Sequence, residues 1–452
     1  MSKVNIKTLS GFMELLPEDQ LEFDRIKNII QSVYHQFGFT DLDTPHIERS
    51  EVLKAKGGDE TDGQMFYVNN GTQSIDNDCA LRFDLTVPLA RYVANNFNNL
   101  TFPFRRCHIG KVYRGERAQK GRFREFYQCD IDVVSRNDLS IYYDAEIPNI
   151  IYNVFKKLKL GKFTIRISNR KLFSGVIEAL KIEAPTANVL RLVDKAEKIP
   201  REKLLQGFDE LGLTESQAEG LIGVMNLKGK PKEILASLKN LGIDNEKFNT
   251  GIEELTAVTK TLIQLGTDED YFIIDCSIVR GLDYYTGTIY ETILDDAPSI
   301  GSVCSGGRYD NLAGHYTSEN LPGVGISIGL TRLFYQLKEN GIIKPTKQSI
   351  SQVIIVPDKE SAIPLALQTA TTLRDIGLNI DVLLDQSPIK KKLQYIDKKN
   401  APYNIIVKTQ QDNSEVLSLQ YKKGDELVKD ILTLEELKSY FGLVYFIDGK
   451  SV

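Results

Sequence analysis

Apolar residues recur at three- and four-residue steps along 19–38: Leu21, Phe23, Ile26, Ile29, Ile30, Val33 and Tyr34. That period predicts an amphipathic helix, with Gly38 as its stop. Residues 39–47 then read as extended, and Pro45 inside them predicts an edge or a special interface. Alternation over 100–134 predicts two antiparallel strands, at 104–114 and 126–134. The polar, cation-rich run 115–125 between them makes the pair a long hairpin with a basic loop. Further along, 140–157 reads as a helix and 163–167, 271–275 and 288–294 as strands, while 323–334 reads as a strand passing into a helix.

Two stretches depart from this texture. From about 171 to 265, Leu, Lys and Glu dominate and short helical runs end at Gly or Pro, which predicts a helical insertion within a larger sheet domain. Residues 338–352 are polar with Gly and Pro and read as a linker. After them strand and helix alternate at 353–356, 360–376, 380–384, 388–399 and 405–407, the pattern of a small α/β domain with parallel strands. Thr433 to Glu436 has the form of a capping box opening a last helix. The predicted organisation is therefore a sheet domain over 1–337, a linker over 338–352 and an α/β domain over 353–452.

Composition narrows the class. The chain has 452 residues, 42% hydrophobic and 26% charged, enough for two or three soluble domains. Its net charge of -5 (56 basic, 61 acidic) excludes a uniformly basic coat, though not a local basic stripe. The five cysteines are scattered with no CxxC pair, which argues for thiols in a reducing compartment over disulfides or zinc. The four histidines are too dispersed to predict a metal triad. No stretch reaches the ~20 apolar residues of a membrane span and no secretory signal is visible, so a cytoplasmic protein without membrane contact is expected.

Six segments concentrate chemistry. In the hairpin, Arg114, Glu116, Arg117, Lys120, Arg122 and Arg124 crowd one loop beside Phe126. This is either a solvated charged loop or a nucleotide site, with guanidinium for phosphate, carboxylate for an exocyclic amine and a ring for stacking. In Leu81-Arg-Phe-Asp-Leu-Thr86, Asp84 and Thr86 share a face if extended and suit an ammonium group. The same segment also reads as a helix start with Thr86 as cap and Pro88 just inside. Arg280-Gly-Leu-Asp-Tyr-Tyr-Thr-Gly-Thr-Ile-Tyr-Glu291 and Cys304-Ser-Gly-Gly-Arg-Tyr-Asp310 put Arg, paired Tyr, Gly and acids close together, types that suit a small zwitterion with a polar ring. Gly323, Gly325 and Gly329 permit close backbone approach before Arg332, but the string is not a dinucleotide fingerprint. On the helix predicted at 388–399, Lys390, Lys391, Lys392, Lys398 and Lys399 surround Tyr395, either to meet RNA or as a solvated face.

Taken together, the strings at 280–291 and 304–310 resemble the two histidine-specific signatures of the histidyl-tRNA synthetases, and the hairpin resembles motif 2 of the class II aminoacyl-tRNA synthetases. The resemblance implies an α+β fold: the class II antiparallel sheet flanked by helices, with a helical insertion, plus a C-terminal α/β anticodon-binding domain. It implies that Arg114 grips the α-phosphate of ATP, Glu116 reads the adenine amine, Phe126 stacks on adenine and Arg332, in a segment like motif 3, contacts the γ-phosphate. Arg280 would bridge the substrate carboxylate and the α-phosphate; Arg114, Arg280 and Arg332 form the catalytic clamp, with Mg²⁺ on the ATP phosphates. Asp84 and Thr86 would hold the ammonium of L-histidine and Gln128 its backbone end. Asp132 and Tyr285 would meet the imidazole, with Tyr284 alongside and Tyr309 closing the pocket. Gln119 and Arg122 would face histidine tRNA, as would Lys391 and Lys392, and the helix at 19–38 would form the interface of a homodimer. Phe83-Asp84-Leu85 stands where many bacterial members carry Pro-Glu-Gly and is more like the other branch of the family. The alternative is a non-catalytic, histidine-sensing paralogue of the type that regulates ATP phosphoribosyltransferase.

Overall fold

The computed structural model describes residues 4–55, 63–69, 78–117, 121–196, 199–279, 285–412, 414–424 and 426–448, the last five without side chains. Two compact units result, one of residues 1–14 with 26–343 and the other of 15–25 with 344–452.

Among the described residues eleven strands belong to the first unit: β1 (Thr40–Asp41), β2 (Ile47–Arg49), β3 (Cys79–Leu81), β4 (Phe104–Tyr113), β5 (Glu125–Val134), β6 (Phe163–Asn169), β7 (Lys228–Gly229), β8 (Phe272–Asp275), β9 (Thr288–Leu294), β10 (Cys304–Tyr309) and β11 (Gly323–Gly329). Nine of them form one sheet in the order β1-β4-β5-β11-β10-β9-β6-β8-β7. From β4 to β6 every pairing is antiparallel, and parallel pairs occur only at β1–β4 and β6–β8. The predicted hairpin is present, with Tyr113 opposite Glu125 and Phe104 opposite Val134.

β5 explains where the site lies. Its Cys129, Ile131 and Val133 are fully buried and apolar, as a core strand requires. The opposite face carries Phe126, Gln128, Asp130 and Asp132, with both aspartates buried. Buried polar side chains in a row are costly unless something answers them. Tyr34, on the helix Pro17–Gln36, is buried and donates to the Cys129 carbonyl at 3.1 Å. Two strands from β5, Arg308 of β10 forks onto Asp144 at 2.6 to 3.1 Å, joining that strand to the helix Tyr142–Leu158. Helices run from Arg170 to Gln264 between β6 and β8, and the two-residue β7 is the one strand among the described residues of that stretch.

In the second unit β13 (Ile380–Val382), β12 (Val353–Pro357) and β14 (Tyr403–Thr409) lie parallel. Those are the three strands the sequence predicts; the sheet then continues through two further, antiparallel strands, β15 (Glu415–Lys423) and β16 (Glu426–Leu432), and so is mixed. The capping box is present: Thr433 Oγ1 accepts from the Glu436 N–H at 3.2 Å, and a Glu436 carboxylate oxygen accepts from the Thr433 N–H at 2.8 Å. Among the described residues no helix is long and apolar enough to cross a membrane.

Candidate active site

Eleven of the residues singled out from the sequence line one cavity of about 350 Å³ on the polar face of the antiparallel sheet. The nucleotide candidates Arg114, Glu116, Arg122, Phe126 and Arg332 surround one part of it. Asp84, Thr86, Gln128, Asp132, Tyr285 and Tyr309 surround the rest. Arg280, Tyr284 and Gln119 lie outside the described residues.

Arg114 leaves the end of β4 between two rings, its guanidinium 4.5 Å from the centroid of Phe83 and 5.2 Å from that of Phe126. Its Nε donates to the Phe83 carbonyl at 3.2 Å, which leaves the terminal nitrogens for a ligand-facing role. Glu116 accepts from Arg122 at 3.3 Å, an exposed and weak pair. Arg332 sits one turn into the helix Leu330–Glu339 and donates to the Ile300 carbonyl at 2.9 Å, which ties β11's following helix to the loop before β10.

The floor is built around Asp132. One carboxylate oxygen accepts from the Tyr309 hydroxyl at 2.9 Å and the other from Arg106 at 3.0 Å. All three side chains are buried. Burial pushes the Asp132 carboxyl above its ordinary range against the pull of Arg106 and Tyr309. Glycines make the room. Gly325 stands opposite Asp132 in register and Gly323 opposite Tyr309, and a methyl at either would overlap the Asp132 carboxylate or the Tyr309 ring. Gln128 donates to Ser327 Oγ at 3.0 Å.

Two sequence expectations need correction. The helix beginning at Thr86 is capped by Asp84, not Thr86: Asp84 Oδ1 accepts from the Val87 N–H at 2.9 Å. Asp84 is buried, and burial raises its pKa in spite of that bond. In the second unit, Lys391 is exposed but Lys392 is 4% exposed and donates to the Pro357 carbonyl at 2.9 Å. It shares a face with buried Ile396, so it ties the helix Ile389–Lys399 to the end of β12 and is not an exposed cation. Tyr395, in the same helix, donates to Asp381 at 2.7 Å.

Sequence reading missed Arg106, Asp130 and Ser327. Arg106 stands opposite Asp132 in register, and Asp130 alternates with Gln128 and Asp132. The period-two spacing along β5 was the available signal for Asp130. Among the described residues a single acid–His–Cys group, His35, Asp41 and Cys107, has ligand atoms close enough for a metal. His35 and Asp41 already pair at 2.8 Å and Cys107 donates to Asp41 at 3.2 Å, so hydrogen bonds account for the group.

An antiparallel sheet with an arginine-bearing hairpin on one side, a glycine-rich strand running into an arginine-bearing helix on the other, and a buried acid–tyrosine floor between them defines a class II aminoacyl-tRNA synthetase core. Residues 11–333 match the family model "Histidyl-tRNA synthetase" and residues 352–441 match "Anticodon binding domain". The chain is 50% identical to a histidine–tRNA ligase of Clostridium tetani, over 95% of this chain and 96% of that one. A crystal structure of histidyl-tRNA synthetase from Nostoc superposes with a TM-score of 0.87 at 37% identity, covering 97% of this chain and 100% of that one. At 20% identity, an ATP phosphoribosyltransferase regulatory subunit/histidyl-tRNA synthetase from Bacillus halodurans shares the fold, with a TM-score of 0.73 over 87% of this chain and 97% of that one. This chain belongs to the histidyl-tRNA synthetase family.

Proposed function

We propose that the chain is a histidine–tRNA ligase, which activates L-histidine with ATP and passes the histidyl group to the 3′ end of histidine tRNA. The observation that carries this reading is the convergence of residues from five separate sequence segments on one cavity, in a chain of this family.

In the first step the histidine carboxylate attacks the α-phosphorus of ATP in line, and the bond to the pyrophosphate oxygen breaks. Such chemistry depends on positioning and on cancelling developing negative charge. Arg114, held between Phe83 and Phe126, is suited to the α-phosphate and Arg332 to the γ-phosphate, with Arg280 as third member of the clamp. Mg²⁺ enters on the ATP phosphates as part of the substrate. Phe126 offers a face to adenine and Glu116 an acceptor for its amine. Asp132, with Tyr309 fixing one oxygen, is an acceptor for an imidazole N–H, and Tyr285 lies at the same pocket. A buried site that pairs a polar ring rejects analogues lacking it by ~10⁴-fold or more, so no editing domain is required.

In the second step a ribose hydroxyl of tRNA attacks the adenylate carbonyl and AMP leaves. Arg122, which lines the cavity, and Gln119, three residues before it in sequence, are assigned to the tRNA acceptor end, and Lys391 belongs to the unit that matches an anticodon-binding domain. A cytoplasmic homodimer built on the helix Pro17–Gln36 completes the reading.

Pyrophosphate exchange into ATP, with each amino acid supplied singly, tests it. Exchange with histidine alone is expected. Histidine binding without exchange would instead point to the sensing paralogue.

A further inference from the structure

One buried carboxylate in the cavity has no task in the reading above. Asp130 lies on β5 between Gln128 and Asp132, on the same face, and is 2% exposed. The Ser327 hydroxyl on β11 hydrogen-bonds to it. The charges it faces are Arg106 on β4, Asp132 on its own strand, Asp84 ahead of the helix Thr86–Asn96 and the buried Arg82, and His108 stands opposite it in register on β4. Arg106 gives its Nη2 to Asp132 and to the Leu85 carbonyl, and its Nε and Nη1 meet no partner among the described residues.

Asp130 Oδ1 also meets no donor among the described residues, and neither does Gln128 Oε1. Ser327 therefore engages both side chains and leaves one buried acceptor on each. Leaving such acceptors unanswered is costly. Two acceptors two strand positions apart, one of them a carboxylate, match a group with several diverging N–H donors and a positive charge. An ammonium has that form. A flat imidazole does not, and its own acceptor, Asp132, sits one alternation further along. Charge balance points the same way: of the two buried guanidiniums near Asp84, Asp130 and Asp132, Arg106 pairs with Asp132 and Arg82 is already paired with Asp43 at 3.3 Å. Burial has pushed the Asp130 carboxyl up to about 7, so an arriving cation would ionise it.

We propose that Asp130 Oδ1 joins Asp84 in contacting the α-ammonium of the bound amino acid, with Gln128 Oε1 as a further acceptor, and so selects substrates carrying that amine. The proposal rests on the histidine-activating reading. It makes Asp130 a substrate-binding residue beside, not within, the imidazole site.

The test uses the full-length chain and the near-isosteric Asp130→Asn, which keeps the serine contact and removes the charge. The readouts are KM for histidine and for ATP in pyrophosphate exchange, and inhibition by histidinol (ring and amine) and by 3-(imidazol-4-yl)propionate (ring, no amine). Loss of a charge-assisted bond predicts a rise of about 10- to 100-fold for histidine and histidinol. The ATP KM should stay within about twofold, and the propionate should gain at least tenfold on histidine as a competitor. Equal weakening of all ligands, ATP included, would overturn the contact in favour of a structural role. Weakening of the propionate to match histidine would assign Asp130 to the ring instead. The shorter Asp130→Ser should give the same pattern if the first variant folds poorly. An unaffected Asp130→Asn in an enzyme that exchanges with histidine sinks this inference alone, whereas a wild-type chain with no histidine-dependent exchange sinks the reading beneath it.

Discussion

The Tyr309 hydroxyl donates to Asp132 at 2.9 Å, on the oxygen that Arg106 does not take. Tyrosine and Arg106 thus fix which lone pairs of Asp132 remain open to the cavity. Burial pushes the Tyr309 phenol well above its ordinary range, with the Asp132 charge adding to it, so the hydroxyl stays a donor. Tyr309→Phe leaves that oxygen buried without its donor, a cost of about 1–3 kcal/mol. We expect KM for histidine to rise roughly tenfold or more and the melting temperature to fall, while KM for ATP holds. An unchanged histidine KM would remove Tyr309 from the pocket.

Gly325→Ala should be harsher than its size implies. The added methyl would overlap the Asp132 carboxylate and must push either that side chain or β11. Histidine-dependent exchange should drop by about 100-fold, since small misplacements of reacting groups carry penalties of that order. Retention of ATP binding by calorimetry would show that the damage is confined to the amino-acid side.

Arg114 combines charge with stacking between Phe83 and Phe126. Arg114→Ala should cost about 2–4 kcal/mol of transition-state stabilisation, by analogy with a lost oxyanion donor. Arg114→Lys should rescue little, because an ammonium neither stacks nor forks. Single-turnover adenylation rates would decide it, and a lysine variant near the wild-type rate would reduce Arg114 to a point charge.

Asp130 also predicts a pH dependence of stability. Its carboxyl is raised from an ordinary value near 3.8 to about 7, first by burial and then, against the pull of Arg106, by Asp132. The folded chain therefore holds this proton more tightly than the unfolded one. That contribution is fully present below about pH 4 and is lost as pH rises through about 7. Asp130→Asn should accordingly match the parent near pH 4 and exceed it by on the order of a few kcal/mol at pH 8. Urea melts at the two pH values measure the difference, and equal gains at both would contradict it.

The two neighbouring lysines should part company. Lys392→Ala removes a buried ammonium from the Pro357 carbonyl and should lower the melting temperature of the C-terminal unit. Lys391→Ala should leave both stability and exchange alone and slow tRNA charging. Circular dichroism melts with aminoacylation assays separate the two outcomes.

Much of the site was legible because its chemistry is local in sequence. Arg114, Glu116 and Phe126 fall within one hairpin, and alternation along β5 sorts Gln128 and Asp132 onto one face. What escaped depended on partners far along the chain. Cys304–Tyr309 read as a signature string and not as the mid-sheet strand it is, since adjacent glycines rarely mark strands; here a methyl at Gly307 would come within 2.7 Å of the Thr288 carbonyl. Leu417, Leu419 and Tyr421 alternate plainly, but the charged run that follows them hid the hairpin of β15 and β16. The lysine cluster misled because neighbours in sequence were taken as neighbours on a surface. The four-residue step from Lys392 to Ile396 was the corrective signal. Asp84 was read for its charge, and its cap on Val87 needed the backbone to be seen.

Strand order in the catalytic sheet is also a timetable. β5 pairs with β11, and Gln128 and Ser327, which hydrogen-bond across that seam, are 199 residues apart. At ribosomal rates of roughly 5–20 residues per second, β5 waits about 10–40 s with one edge open. During that interval the hairpin can fold on β4, but its polar row has no opposite wall and Asp132 lacks Tyr309. The nascent protein therefore carries half a binding pocket on an unpaired strand edge until nearly three-quarters of its length has been made, and that edge is where a chaperone would be needed most.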